Sequence, residues 1–241
     1  MIKWFVIILL AVPRIIYSTI KLKIMRHKPE KYDLASRYKV LRATVIWICT
    51  LARMDIDVEN REYISKPHSE GRLYVSNHRR LFDTMVFIYL SEKPLTLIGK
   101  KEVIKVPFLN EHAKAIETLF IDRGDLRQSL KVCKEAGQKI QNGTDIVIFA
   151  EGTRTKDGNV APFRAALPSI VSYAKTDTTL VTMYNTEKPL SWRWITYPRE
   201  KVNVKIFEPL SYDFYLENRK HFAEVTRDMV QEQLEEFRKV C

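Results

Sequence analysis

Cysteine is scarce in this chain. Among 241 residues only Cys49, Cys133 and Cys241 occur, an odd set without C-x-x-C spacing. That excludes a disulfide framework and gives no sign of a zinc site, and a reducing, cytoplasmic setting is the default. Cys241 is the last residue and is therefore not the Cys of a C-a-a-X prenylation box. Glycine and proline are few, 7 and 10, while apolar residues make up 46% and charged residues 29%. This balance excludes collagen, a coiled-coil rod and a disordered chain, and leaves enough apolar material for a sizeable core. Internal repeats and low-complexity linkers are absent too.

A long apolar run is also missing. The stretch from Trp4 to Val12 stops after nine residues at Pro13 and Arg14, whereas a membrane-spanning helix takes about 20. Proline removes a helix hydrogen bond, and an arginine at the bilayer centre costs about 2.5–3.5 kcal/mol on insertion scales. No small-x-small cleavage site follows the run, so a signal peptide is a poor fit.

What the first quarter lacks most is acid. Residues 1–54 hold eleven Lys and Arg against two acids, Glu30 and Asp33, a net of +9. The other 187 residues hold 29 bases and 27 acids, so most of the formal +11 sits in one apolar-rich segment. That distribution speaks against nucleic acid, whose proteins spread basic charge over a polar face with stacking aromatics. It favours an anionic membrane leaflet, with residues 1–20 lying in or dipping into it and Lys21, Lys23, Arg26, Lys28 and Lys31 at the headgroups. A second helix is predicted over 34–54, from Leu34, Leu41, Val45, Ile48 and Ala52 at helical spacing. Residues 1–54 thus read as a monotopic, membrane-associated helical hairpin on the cytoplasmic side, and 55–241 as one further domain.

Beyond residue 54, short apolar strands alternate with helices. Strands are predicted at 72–76, 95–98, 145–150, 179–184 and 202–207, and helices at 84–90, 110–115, 126–141, 165–175 and from about 217 to the end. This alternation predicts an α/β domain with a mostly parallel sheet flanked by helices. In the last helix, the stripe Phe222, Val225, Met229, Leu234, Phe237 and Val240 reads as a face docked on the protein's own core.

Two motifs carry chemistry. Ser76-Asn77-His78-Arg79-Arg80-Leu81-Phe82-Asp83 follows the strand Leu73-Tyr74-Val75. His and Asp five apart lie about 140° apart on a continuous helix. They meet only if His78 sits in the strand-to-helix turn and Asp83 in the first helical turn. There Asp83 would fix the imidazole tautomer and leave Nε2 as a base. With no nucleophile nearby, such a pair suits activation of a substrate hydroxyl. The second motif, Ile148-Phe149-Ala150-Glu151-Gly152-Thr153-Arg154, delivers Glu, Gly, Thr and Arg at the end of a buried strand. Glycine admits close approach of a ligand and arginine grips phosphate. Arg123 in Phe120-Ile121-Asp122-Arg123 and Lys100-Lys101-Glu102 add positive charge at other strand ends. His27, His68, His112 and His221 fit no ligand spacing, read as surface residues, and suggest no metal.

In order, Asn-His-x4-Asp, Lys-Lys-Glu with Pro-Phe, Phe-Ile-Asp-Arg and Glu-Gly-Thr-Arg closely resemble the 1-acyl-glycerol-3-phosphate acyltransferase family, over about residues 54–190. Ala150 stands where that family usually has Pro, and Asn110 where Gly is common. The resemblance implies an enzyme moving a fatty acyl group from acyl-CoA or acyl carrier protein, a co-substrate and not a resident cofactor, to the hydroxyl of lysophosphatidic acid, giving phosphatidic acid. Glycerol-3-phosphate or a lysophospholipid is the alternative acceptor. Outside catalysis, the alternative is a membrane-binding protein on the same fold. His78 would be the base and Asp83 its orienter, with Arg123, Glu151, Gly152, Thr153, Arg154 and Lys100 or Lys101 at the acceptor phosphate.

Overall fold

The computed structural model describes the backbone of residues 2–66, 68–152, 158–187 and 200–240, and side chains from residue 9 onward with Glu200 excepted. Two helices come first, α1 (Ile2–Arg26) and α2 (Leu34–Leu51), followed by β1 (Met54–Glu59), the short α3 (Glu62–Ser65), β2 (Leu73–Ser76) and α4 (Leu81–Leu90). Next come β3 (Leu95–Lys100), a 3-10 turn (Lys101–Lys105), α5 (Leu109–Ala115), β4 (Leu119–Ile121) and α6 (Leu126–Gln141). The chain closes with β5 (Asp145–Phe149), α7 (Ala166–Ala174), β6 (Thr178–Tyr184), β7 (Glu200–Ile206), α8 (Tyr212–Glu217) and α9 (Phe222–Val240).

The strands form one seven-stranded sheet in the order β1-β7-β6-β2-β5-β3-β4. From β6 to β4 every neighbouring pair is parallel; β7 runs antiparallel to β6, and β1 pairs with β7 in parallel. The mostly parallel α/β architecture expected from the alternation is therefore present, with a reversed two-strand edge. Side chains alternate across the sheet as strand geometry requires. Leu73, Val75, Ile146, Ile148 and Leu180 face α6, α7 and α9 in one core. Tyr74, Val147, Val181, Met183 and Leu97 face α2, α4 and α5 in the other. Helices on both faces explain why β2 is buried along its whole length.

The hairpin of α1 and α2 belongs to the second core. Leu22, Tyr38, Leu41, Val45 and Cys49 pack there, and Tyr38 donates its hydroxyl to Ser91 O at 3.2 Å. Asp33 caps α2 by accepting from Ser36 N–H at 2.8 Å. Pro13 lies inside α1 without ending it, and no helix of the described residues is long and apolar enough to cross a membrane.

One segment departs from the sequence expectation. α2 stops at Leu51 instead of continuing to 54, and Met54-Asp55-Ile56-Asp57-Val58-Glu59 forms β1, its residues alternately half-buried and exposed. Arg53, at φ 53°, turns the chain between the two. The period-two pattern of residues 54–59 is present in the sequence, where only Met54 falls within the helix expected over 34–54. In α9, Phe222, Leu234 and Phe237 are buried as the stripe predicts, while Val240 is exposed. The buried thiols of Cys49 and Cys133 are pushed up to about 12 and about 11 by desolvation, which removes them as nucleophiles at neutral pH.

Candidate active site

Four adjacent parallel strands, β2, β5, β3 and β4, end on one edge of the sheet, and each hands its chain to a residue the sequence singles out. His78 follows β2, Glu151 and Gly152 follow β5, Lys100 ends β3, and Arg123 follows β4. Parallel pairing brings them to one edge from positions up to 74 residues apart in sequence. Such carboxyl ends are where open α/β sheets present ligand sites.

His78 lies in the turn between β2 and α4, and Asp83 is the third residue of α4. The two meet at 2.7 Å, Nδ1 to Oδ2. A carboxylate only accepts, so Nδ1 carries the proton and Nε2 keeps its lone pair. Asp83 is itself held tightly. It is 1% exposed, and the same Oδ2 accepts from the Arg79 N–H at 2.6 Å and the Arg80 N–H at 2.8 Å. Its Oδ1 is buried without a partner. A carboxylate this enclosed has one orientation, and it imposes that orientation on the imidazole. Below, the ring stacks on Phe149 with centroids 4.3 Å apart and planes at 24°. Asn77, one residue earlier, pins the turn to β6 with reciprocal bonds of 2.9 Å, Nδ2 to Met183 O and Met183 N–H to Oδ1. Among the described residues Nε2 has no hydrogen-bond partner, and the imidazole, 19% exposed, is held in one orientation at the strand ends.

Glu151 is bonded within the protein. The sequence placed it with the phosphate-binding residues, yet its carboxylate is 1% exposed and turned inward. Oε1 accepts the His78 N–H at 2.7 Å and Oε2 the Ala161 N–H at 2.8 Å. Burial raises its pKa, and these two hydrogen bonds, then His78, oppose the rise. The carboxylate thus holds the main chain of His78 and of Ala161.

Residues 158–161, which carry the Ala161 donor, are clasped in turn by α9. Gln231 Oε1 accepts the Val160 N–H at 2.8 Å, and Arg227 Nε donates to Val160 O at 3.2 Å. Arg238 donates to Asn159 Oδ1 at 3.0 Å and to Gly158 O. A chain of hydrogen bonds therefore runs from α9 through the loop and Glu151 to His78. The sequence offered no sign of it, because α9 read as a core-docking helix and its polar face as solvent.

Gly152 has φ +68°, a left-handed conformation that favours glycine, and a Cβ there would lie 3.3 Å from Arg164 Cγ and 3.6 Å from Arg123 Cζ. Two arginines thus converge over this glycine, and neither forms an ion pair among the described residues. Partial burial lowers the Arg123 pKa; Glu102 opposes the shift and Arg164 adds to it. Arg164 lies outside the motifs of the sequence; its charge, two places after Pro162, is the available signal.

The lysines are used differently. Lys100 pairs with Glu102 and Lys101 with Asp122, each at 2.9 Å and in water; the described contacts bring neither to His78. Thr153 and Arg154 lie outside the described residues, as do Trp192, Arg193, Trp194 and Tyr197. Arg79 turns its guanidinium toward Glu187 at 3.6 Å. Two histidines expected at the surface are not there. His68 bonds buried Asp145 at 2.9 Å at the opposite edge of the sheet, and His112 bridges α5 to α1.

Comparison with known proteins gives the family and the fold. Residues 55–185 match the family model described as Acyltransferase. The chain is 30% identical over 149 residues, 61% of its length, to the 1-acyl-sn-glycerol-3-phosphate acyltransferase of Borreliella burgdorferi. It is 28% identical over 171 residues, 69% of its length, to the protein of that name from Cocos nucifera. These matches span 58% and 55% of the two relatives' own lengths, so the chain corresponds to less than two thirds of each. Among solved structures, the 1-acyl-sn-glycerophosphate (LPA) acyltransferase PlsC from Thermotoga maritima superposes with a TM-score of 0.69, covering 95% of this chain and 98% of that one at 20% identity. At that identity the likeness speaks for the fold. Since the family model accounts for more than half of its residues, this chain belongs to the Acyltransferase family.

Proposed function

We propose that the chain transfers a fatty acyl group from a thioester, on coenzyme A or acyl carrier protein, to the free hydroxyl of 1-acyl-glycerol-3-phosphate at a membrane surface. The observation that carries this reading is the His78–Asp83 pair at 2.7 Å at the strand ends, which leaves Nε2 with the free lone pair. The names of the curated relatives support the same acceptor.

The acceptor phosphate docks between Arg123 and Arg164 over Gly152, which leaves its hydroxyl near His78. Nε2 removes the hydroxyl proton as the oxygen attacks the thioester carbonyl carbon. Asp83 stabilises the imidazolium that forms, as a buried carboxylate on Nδ1 does in other histidine-based sites. The tetrahedral intermediate collapses with cleavage of the C–S bond, and the thiolate recovers the proton from Nε2. Histidine returns to its starting tautomer, and no covalent acyl-enzyme is formed. Access to a lipid acceptor comes through α1, whose outward face carries Leu9, Tyr17, Ile20 and Ile24, all more than half exposed.

The test is an acyl-transfer assay with a panel of acceptors (lysophosphatidic acid, glycerol-3-phosphate, lysophosphatidylcholine) and both thioester donors, read by mass spectrometry. The expected result is phosphatidic acid from lysophosphatidic acid, abolished by His78→Ala with vesicle binding intact. Transfer that survives His78→Ala removes the mechanism, and transfer to lysophosphatidylcholine alone removes the phosphate site.

A further inference from the structure

The 3-10 turn after β3 leads into an unusual piece of backbone. Phe108 has φ 62° and ψ −52°, a conformation that is a genuine outlier for a bulky L-residue. The Leu109 N–H donates to Pro107 O at 2.7 Å, closing a γ-turn of the rare positive-φ form. Its surroundings fix it. The Asn110 N–H donates to Val106 O at 3.1 Å, the His112 N–H to Phe108 O at 3.2 Å, and His112 Nδ1 to the same oxygen at 2.7 Å. The far nitrogen of that imidazole accepts the Ser18 hydroxyl of α1 at 2.8 Å. One ring therefore ties the strained carbonyl to α1, and Arg26 of α1 pairs with neighbouring Glu111 at 3.1 Å.

Strain persists where the structure over-determines it, and it is most often found at functional positions. Here it presents apolar side chains to water: Phe108 is 49% exposed, Val106 46% and Ile104 38%. The exposed face of α1 continues the same character through Ile16, Tyr17, Ile20 and Ile24. Exposed lysines border both, Lys105 at the turn and Lys21 and Lys23 on α1, while Lys101 is paired with Asp122 and the exposed Glu102 with Lys100. Clustered apolar tips ringed by lysine match an anionic bilayer, with hydrocarbon below and phosphates at the rim.

We propose that residues 104–108 form a second lipid-inserting element, which enters the same anionic leaflet as α1. Because the turn springs from the carboxyl end of β3, it holds the strand ends that carry His78 against the lipid. The occupant is a phospholipid surface and not a protein, since the lysines at the patch without an ion pair among the described residues, Lys105 of the turn and Lys21 and Lys23 of α1, add to the base-rich N-terminal segment, while Glu102 and Asp122 neutralise Lys100 and Lys101. The inference rests on the reading that the acceptor is a membrane lipid.

The test is flotation of the full chain with phosphatidylglycerol-containing and with pure phosphatidylcholine vesicles, alongside acyl transfer to vesicle-borne and to soluble short-chain lysophosphatidic acid. Phe108→Gly accepts the positive φ without strain, so its melting temperature is expected to be no lower than that of the parent. Its affinity for anionic vesicles is expected to fall about tenfold, as loss of one buried aromatic predicts. Val106→Ser, at an unstrained and exposed position, is expected to weaken binding too. In both variants transfer to the vesicle-borne acceptor falls while transfer to the soluble one holds. Unchanged flotation of both variants overturns the proposal and leaves a protein partner as the reading of this patch. Flotation lost by the variants in a chain that transfers no acyl group supports the inserting turn and rejects the enzymatic reading, so the two failures are distinguishable.

Discussion

At the scale of residues, the candidate site is a study in how a histidine is immobilised. Asp83 receives three donors on one oxygen and has no water to turn toward. Asp83→Asn keeps the volume but removes the charge that stabilises an imidazolium. It is expected to lower kcat by roughly two to four orders of magnitude, the range assigned to general-base catalysis, with little change in KM; steady-state kinetics on lysophosphatidic acid check it. Glu151 acts one bond further back. In Glu151→Gln an amide NH2 faces a backbone N–H, and the lost hydrogen bond costs about 1–3 kcal/mol. The expected signature is a fall in kcat with the acceptor KM unmoved; a rise in KM alone would return Glu151 to the phosphate site. His78 and Asp83 were legible in the sequence because a strand, a turn and a helix start fix their meeting locally. The inward turn of Glu151 was not, since its donors come from residue 78 and residue 161, on separate segments.

At the scale of elements, the last helix and the first are both more than packing. α9 buries Phe222, Val230, Leu234 and Phe237 in the core while Arg227, Gln231 and Arg238 hold the loop at 158–160. Gln231→Ala leaves the core untouched, and acyl transfer is expected to drop about tenfold, the effect of one lost hydrogen bond of about 1.4 kcal/mol at the base; a fall in kcat with an unchanged thermal midpoint is the outcome that fits. α1 is fastened to α5 through His112, whose pKa burial depresses, against the opposing hydrogen bond to Phe108 O and the charge of Glu111. A histidine lowered from its ordinary 6.5 stabilises the folded state above that value, and the contribution is lost as pH falls through the depressed pKa. Amide exchange across residues 108–113, corrected for intrinsic rates, is expected to be faster relative to the rest of the chain at pH 5 than at pH 7.5. Arg26 and Lys114 also carry charge near this junction, and His112→Gln separates their influence by removing the titration. Helix existence was readable from apolar period and caps. The polar faces that join elements were not, because a hydrogen bond between helices leaves no period in either.

At the scale of the molecule, most of the net charge lies in the N-terminal segment and the chemistry at the strand ends. The base-rich segment supplies α1, whose inner residues Ser18, Leu22 and Met25 are buried while its outer face carries apolar side chains and lysines. Each lysine near an anionic surface contributes about 1 kcal/mol. Replacing Lys21 and Lys23 by Gln is therefore expected to weaken binding to phosphatidylglycerol vesicles about thirtyfold and to leave phosphatidylcholine binding unchanged, measured by flotation at low ionic strength. By itself the sequence determined the class of fold, the basic N-terminal quarter, and the order of motifs at the strand ends. These are written in local period and composition, which neighbouring residues set among themselves. Tertiary structure decided how the motif residues are held. It turned Glu151 inward, drew Arg164 in beside Arg123, and made a β-strand of residues 54–59, while Phe108 is set in a turn held by hydrogen bonds among residues 106–112. The first three depend on groups brought together from distant segments, and sheet order is a property of the packed whole.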